Sequence, residues 1–207
     1  MTTHALWRGT APLVLASKSP ARRALLACAG IPFDVVVANV DERAVEAALR
    51  AKGAEAASIG AHLARAKALA VSKLHPGRLV AGADQTLELD GEILSKPRDL
   101  AEAAAQLARL SGRSHKLYSA LCVARAGAAL FETVEAATLT CRAFGADFID
   151  RYLAAAGAAV LESVGGYQVE GLGINLFARI EGDQATILGL PLLPLLAFLR
   201  QEGSLAE

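Results

Sequence analysis

The residues in this chain best suited to chemistry are cations and carboxylates set beside turns, and the chemistry they suit is the handling of phosphate. In Leu15-Ala-Ser-Lys-Ser-Pro-Ala-Arg-Arg23 a short apolar run leads to Ser19 and Pro20, an N-cap and a first helical residue, followed at once by Arg22 and Arg23. A helix N-terminus carries roughly half a positive charge and favours carboxylates in its first turn. Arginines there ask for an anion opposite. A phosphate would use the free backbone N–H groups, the Ser17 hydroxyl and the guanidinium forks together. The competing reading is a solvated cap with exposed arginines.

Carboxylates follow at the ends of strand-like runs, where α/β folds open their ligand crevices: Asp41 and Glu42 after one run, Asp84 at the mouth of residues 78–83. Any one of them alone is more simply a turn former. Together with a phosphate cradle they point to a divalent cation, since magnesium is held by one or two carboxylates plus substrate phosphates and water. Lys96 could set a point charge on a phosphate, and so could Lys67 if its helix faces the same site; taken singly, each reads as a solvated lysine. His4, His62, His75 and His115 share no metal-ligand spacing, and neither a Gly-x-Ser-x-Gly elbow nor a P-loop lysine motif occurs. Gly165-Gly166-Tyr167 and the pair Gly171 and Gly173 could approach a ligand closely, although turns between strands are the commoner use of such glycines.

The elements that must position these groups alternate. Residues 12–16 read as a strand, 22–29 as a helix stopped by Gly30, and 33–38 as a second strand. Residues 44–74 carry Ala-rich helix broken near Gly53 or Gly60, and 78–83 form a third strand. Residues 87–94 alternate around Asp90-Gly91, a hairpin signal because such turns need positive φ. Asp99 and Glu102 form a capping box before a helix to Leu110, closed by Ser111-Gly112. Two long strands, 115–125 and 130–144, turn at Ala126-Gly127-Ala128; a helix over 147–156 stops at Gly157, and the remainder reads as strand, hairpin and helix. The alternation predicts an α/β fold around a mixed, long-stranded sheet.

Composition bounds the rest. The 207 residues suit one domain or two intimately packed halves, with one core expected; 54% are hydrophobic and 20% charged, so disorder is not expected. Lysine plus arginine equals aspartate plus glutamate at 21 each, which gives no basic excess for a nucleic-acid polymer. Cys28, Cys122 and Cys141 are odd in number and form no CxxC pair, which fits a reducing cytoplasm. Residues 1–12 lack the apolar run of a secretory signal. The most apolar stretch, 187–199, is interrupted by Gly189, Pro191 and Pro194 and falls short of the ~20 residues that span a bilayer, so it reads as a buried terminal helix and no membrane partner is expected.

Set in order, these segments resemble the Maf family of nucleoside triphosphate pyrophosphatases. Leu15-Ala-Ser-Lys-Ser-Pro-Ala-Arg-Arg23 looks like its opening signature, Val40-Asp-Glu42 like its acidic pair and Ala64-Arg-Ala-Lys-Ala68 like its helix motif. Gly82-Ala-Asp-Gln85, Leu94-Ser-Lys-Pro97 with Leu110-Ser-Gly and His115, and Gly165-Gly-Tyr167 with Gly171, Gly189 and Pro191 complete the ordered set. The resemblance implies a single domain over residues 1–207: a Maf/ITPase-like elongated α/β fold, its mixed sheet flanked by helices, with two closely packed lobes around a central cleft. It implies a homodimer, and hydrolysis of a nucleoside triphosphate to monophosphate and pyrophosphate with Mg2+ or Mn2+. By the same resemblance Asp84 is the proton acceptor, with a metal-bound role equally open; Asp41 and Glu42 are its acidic, metal-binding companions, and Glu42 and Lys96 join Asp84 as catalytic residues. Lys96, Ser17 and Arg23 contact phosphate, with Arg22 and Lys67 as further substrate-binding residues. Gln85 and Glu170 match the branch acting on 7-methyl-GTP, in which the position of Ala21 can carry an aromatic that stacks on the methylated base. A carboxylate such as Glu170 suits the adjacent N1–H and N2–H2 donors of guanine.

Other functions remain open at this point. The chain could act on another modified or noncanonical nucleotide, or on dTTP or UTP, could be a nucleotide-binding regulator of septum formation that needs no Asp84 chemistry, or could be a nucleotidyltransferase, although the early glycine-rich loop of the last is absent.

Overall fold

The computed structural model describes residues 5–207; His4 lies outside the described residues. Seven strands form one mixed sheet in the order β2-β1-β3-β5-β6-β7, with β4 paired to β3. The strands are β1 (Leu13–Leu15), β2 (Phe33–Val35), β3 (Val80–Leu89), β4 (Glu92–Leu94), β5 (Ser114–Arg125), β6 (Ala128–Cys141) and β7 (Phe177–Glu181). β1 runs parallel to both β2 and β3, whereas β3–β4 and β6–β7 are antiparallel. Being an interior parallel strand, β1 is apolar along its whole length and fully buried.

The helices are α1 (Pro20–Cys28), α2 (Glu42–Arg50), α3 (Ala56–Leu74), α4 (Leu100–Leu110), α5 (Ala146–Ala156), α6 (Gln184–Ile187) and α7 (Leu192–Gln201). Of the two alternative break points in the Ala-rich stretch, Gly53 is the one used: it is exposed at φ 73°, while Gly60 is buried inside α3. The α4 cap differs in detail from a capping box. Asp99 accepts from Glu102 N, but the Glu102 carboxylate takes the backbone N–H of Arg98, one residue before the cap. α7 begins only after Pro191, and Leu193 on it is 65% exposed, so the terminal helix is not buried all round.

Two expectations fail for identifiable reasons. The strand predicted over 78–83 and the first hairpin arm are one ten-residue strand, β3, because the polar residues between them find buried partners instead of breaking it. The strand and hairpin predicted after Gly157 are replaced by three 3-10 segments and the single strand β7. Gly165 and Gly166, at φ 77° and 73°, turn the chain where a strand would need extended backbone.

The chain divides into two compact units. The first holds residues 5–84, Ser119–Glu135 and Gly189–Glu207; the second holds Gln85–Tyr118 and Ala136–Leu188. Instead of one core, each has its own. In the first, Leu13, Leu15, Leu26, Leu121, Val123 and Leu199 belong to one buried cluster, with smaller clusters around Ala64 and Ala68 and around Val14 and Val71. In the second, Leu87, Leu107, Leu117, Leu139, Tyr152 and Tyr167 share a cluster.

Candidate functional site

The strongest electrostatic feature of the first unit is built by β3 and α3. On a strand, alternate side chains share a face, so Gly82 and Asp84 point the same way. A Cβ on Gly82 would lie 2.3 Å from Ala64 O and 2.5 Å from Ala68 N. The missing side chain therefore lets the backbone of α3 rest directly on the strand. Lys67 projects from the same face of α3 as Ala64 and Ala68, and all three are buried. Its ammonium donates to Asp84 Oδ1 at 2.7 Å and pairs with Glu42 Oε2 at 2.9 Å. Asp84 is 8% exposed, so it stands inside a long strand and not at a strand mouth as expected. Burial raises its pKa above the ordinary carboxylate value, with Lys67 and then Arg22 pulling it back down.

Arg22 is drawn into the same cluster, but inward. Its Nε donates to Gly189 O at 2.7 Å, and Nη1 donates to Ala83 O and to Ser17 Oγ, both at 2.9 Å. Burial lowers the guanidinium's pKa, opposed by Asp84 and Glu42. Gly189, at φ 92°, leaves room for the guanidinium: a Cβ there would come within 3.3 Å of Arg22 Nη2. A side chain so committed holds the backbone at Ala83, next to Asp84, and offers little fork for an incoming phosphate. Arg23, one residue on, is exposed and makes no ion pair with the described residues. Ser19 caps α1, its Oγ accepting from Arg22 N, and Ser17 Oγ also accepts from Ser19 N. Ala21, half-buried, stands in the first turn of α1.

The three candidate metal carboxylates do not converge. Asp41 Oδ1 is occupied in capping α2, accepting from Ala44 N at 3.0 Å, and among the described residues no group of three His, Cys, Asp or Glu side chains could hold one ion. Asp84 and Glu42, brought to a single ammonium, remain. Two hard oxygen donors of this kind fit a magnesium or manganese ion that completes its shell with phosphate and water.

The other candidates lie in the second unit. Gln85 donates its amide to Ile187 O at 3.0 Å and to Thr186 O at 3.3 Å, anchoring α6 to β3. Glu170 is exposed and borders a cavity of about 300 Å3 whose other walls include Val169, Ile174, Ile180, Gln184 and Ile187. Lys96 is exposed in the connection between β4 and α4. Lys67, solvated if taken singly, does face the carboxylates as its alternative reading required, and the spacing of Ala64, Lys67 and Ala68 against Gly82 and Asp84 held the signal for the buried pair.

A mixed sheet flanked by helices, with a buried carboxylate–lysine pair where an Ala-rich helix rests on its third strand, defines an α/β protein with a charged site in its first unit. The chain belongs to the Maf-like protein family, whose description it matches over residues 12–202. It is 54% identical over 203 residues to the nucleoside triphosphate pyrophosphatase of Nitrobacter winogradskyi, covering 98% of this chain and 99% of that protein. The protein of that name from Bradyrhizobium diazoefficiens is 54% identical over 201 residues, 97% of this chain and 98% of its own. A 7-methyl-GTP pyrophosphatase of Brucella abortus is 53% identical over 193 residues, 93% of this chain and 97% of that protein.

Proposed function

We propose that this chain is a nucleoside triphosphate pyrophosphatase that hydrolyses the α–β phosphoanhydride, with 7-methyl-GTP as its substrate. The observation that carries the reading is the buried Asp84 carboxylate, oriented by Lys67 at 2.7 Å beside Glu42. Full-length similarity to relatives named for this activity, one of them for 7-methyl-GTP, supports it.

Water attacks the α phosphorus, Asp84 accepts its proton, and the bond from the α phosphorus to the bridging oxygen breaks, so that pyrophosphate leaves with the bonding pair. Lys67 holds Asp84 Oδ1 and keeps the carboxylate oriented and ionised against the effect of burial. Arg22 secures the backbone carbonyl that precedes Asp84. Arg23, Ser17 and Lys96 contact phosphate, and Glu170 accepts from the guanine edge. A divalent cation, Mg2+ or Mn2+, held by Asp84 and Glu42 with phosphate oxygens, would neutralise charge developing on the phosphates.

Cytoplasmic location, a homodimer and the absence of a nucleic-acid partner belong to the same proposal. Among the described residues no helix is long and apolar enough to cross a membrane. The test is pyrophosphate release with magnesium across 7-methyl-GTP, GTP, UTP, dTTP, CTP and ITP. Selective turnover of 7-methyl-GTP is expected; preference for UTP or dTTP would overturn the base assignment. No release with any nucleotide would leave a nucleotide-binding regulator as the better reading.

A further inference from the structure

We infer that His115 and Tyr167 form a buried positioning pair that holds the 165–170 segment and thereby sets where Glu170 meets the base. This rests on the base-recognition role proposed for Glu170. The His115 Nε2 and the Tyr167 hydroxyl lie 2.6 Å apart, with both residues buried. The pair is also anomalous: His115 Nδ1 is buried without a hydrogen-bond partner. Native interiors seldom leave such an atom unpaired, so packing alone does not account for a histidine at this position.

Proton accounting gives the pair a direction. If the phenol donates to Nε2, only Nδ1–H is left unpaired. If Nε2–H donates to the phenol, both the Nδ1 lone pair and the phenolic proton are stranded. The first arrangement is the better satisfied. It needs a neutral imidazole and an un-ionised phenol, and burial drives both that way: His115 is lowered to about 4 and Tyr167 is raised well above its usual value.

What the bond holds is a segment with little freedom. Tyr167 meets Phe177 edge-on at 5.0 Å between centroids, and the Tyr152 hydroxyl donates to Gly166 O at 3.3 Å. A Cβ on Gly165 would lie 2.6 Å from Leu87 Cδ1 and 2.7 Å from the Tyr167 ring, so this turn is packed from two sides. Beyond it, Gly171 N donates to Gln168 O, and a Cβ on Gly173 would lie 2.4 Å from the same oxygen. Glu170 emerges between these two anchored points at the rim of the cavity. Hydrophobic packing can press a tyrosine ring into place but leaves it free to slide; a hydrogen bond from its tip sets the depth. His115 and Tyr167 are positioning residues, since Glu170 alone reaches the base.

The experiment compares Tyr167→Phe, His115→Leu, His115→Gln and Glu170→Gln for kcat and KM with 7-methyl-GTP and UTP. Inhibition by inorganic tripolyphosphate, which lacks a base, and thermal stability are read alongside. Tyr167→Phe keeps the ring on Phe177 and carries the test even if His115→Leu does not fold. For Tyr167→Phe and His115→Leu, the ratio of kcat/KM for 7-methyl-GTP over UTP is expected to fall at least tenfold. The loss comes through KM, with kcat and tripolyphosphate inhibition within twofold. His115→Gln, whose amide can still meet the phenol, recovers part of the ratio. If Glu170→Gln collapses the ratio and folded Tyr167→Phe leaves it within twofold, the positioning inference is overturned alone. If Glu170→Gln leaves the ratio unchanged, the base-recognition role fails and takes this inference with it.

Discussion

Replacing Gly82 by alanine adds one methyl group where α3 rests on β3. The new carbon would stand 2.3 Å from Ala64 O, 2.5 Å from Ala68 N and 2.9 Å from Ala68 Cβ. Two of these are backbone atoms of a helix, so no side chain can swing aside. Ordinary contact needs somewhat over 3 Å, which forces α3 back by about 1 Å. Overpacking a close interior typically costs ~1–3 kcal/mol. A collision with backbone belongs at the top of that range, and for a chain of this size about 3 kcal/mol lowers Tm by roughly 6–12 °C. The retreat also carries Lys67 away from Asp84, and a displacement of this order can lower kcat/KM by up to about a hundredfold. Calorimetry and pyrophosphate release on Gly82→Ala, with Gly77→Ala as control, make the test; nothing lies within 4 Å of a Cβ built at Gly77. If both variants match the unsubstituted protein in Tm and turnover, close helix–strand approach does not position the pair.

Further expectations concern the charged groups. Asp84→Asn should still fold, with a Tm lowered by loss of the buried pair with Lys67, and lose about 10²–10⁴-fold in pyrophosphate release, and unchanged turnover would remove Asp84 from the chemistry. Because the base must be ionised and burial raises Asp84's pKa, kcat/KM should fall with acid at a pH above the usual carboxylate range, and Lys67→Met should move that limb higher still. Arg22→Met removes charged hydrogen bonds to the buried Ala83 and Gly189 carbonyls, each of a kind worth about 1.5–3 kcal/mol, and should lower Tm, while Arg23→Met should spare Tm and raise KM. His115 has its folded pKa depressed from 6.5 to about 4, so stability present above 6.5 is lost as pH falls toward 4, by about 3 kcal/mol in chemical denaturation; His115→Leu should flatten that slope.

Much of the scaffold was legible because its signals are local. Ser19 and Pro20 open α1, Asp99 caps α4, and Asp90-Gly91 turns the β3–β4 hairpin with φ of 50° and 81°, all as their residue types require. The site was legible as a set of residues and not as an arrangement. Arg22 and Arg23 are adjacent and chemically identical, yet one is buried on carbonyls and the other exposed, a difference created by Gly189, far away in the chain. Asp84 looked like a strand end because a carboxylate ordinarily stops a buried strand, and only a lysine from another element reverses that rule. After Gly157 the apolar residues suggested extended chain, whereas Gly165 and Gly166 turn it at φ 77° and 73° beside Leu87 and Ala103; the glycine pair marked a turn, but the 3-10 segments around it have no local signature.

Arg22 also bears on how the protein matures during synthesis. Its partners Ala83 and Gly189 lie 61 and 167 residues further along the chain. Translation delivers the N-terminal segment first, at roughly 5–20 residues per second, so α1 leaves the ribosome many seconds before Gly189 exists. Until then the guanidinium can meet only Ser17 and Ala83, and its Nε lacks the Gly189 carbonyl. The charged centre is therefore among the last features of the nascent chain to set, and a chain cut short before Gly189 would carry every acidic residue of the site without the contact that locks its arginine in place.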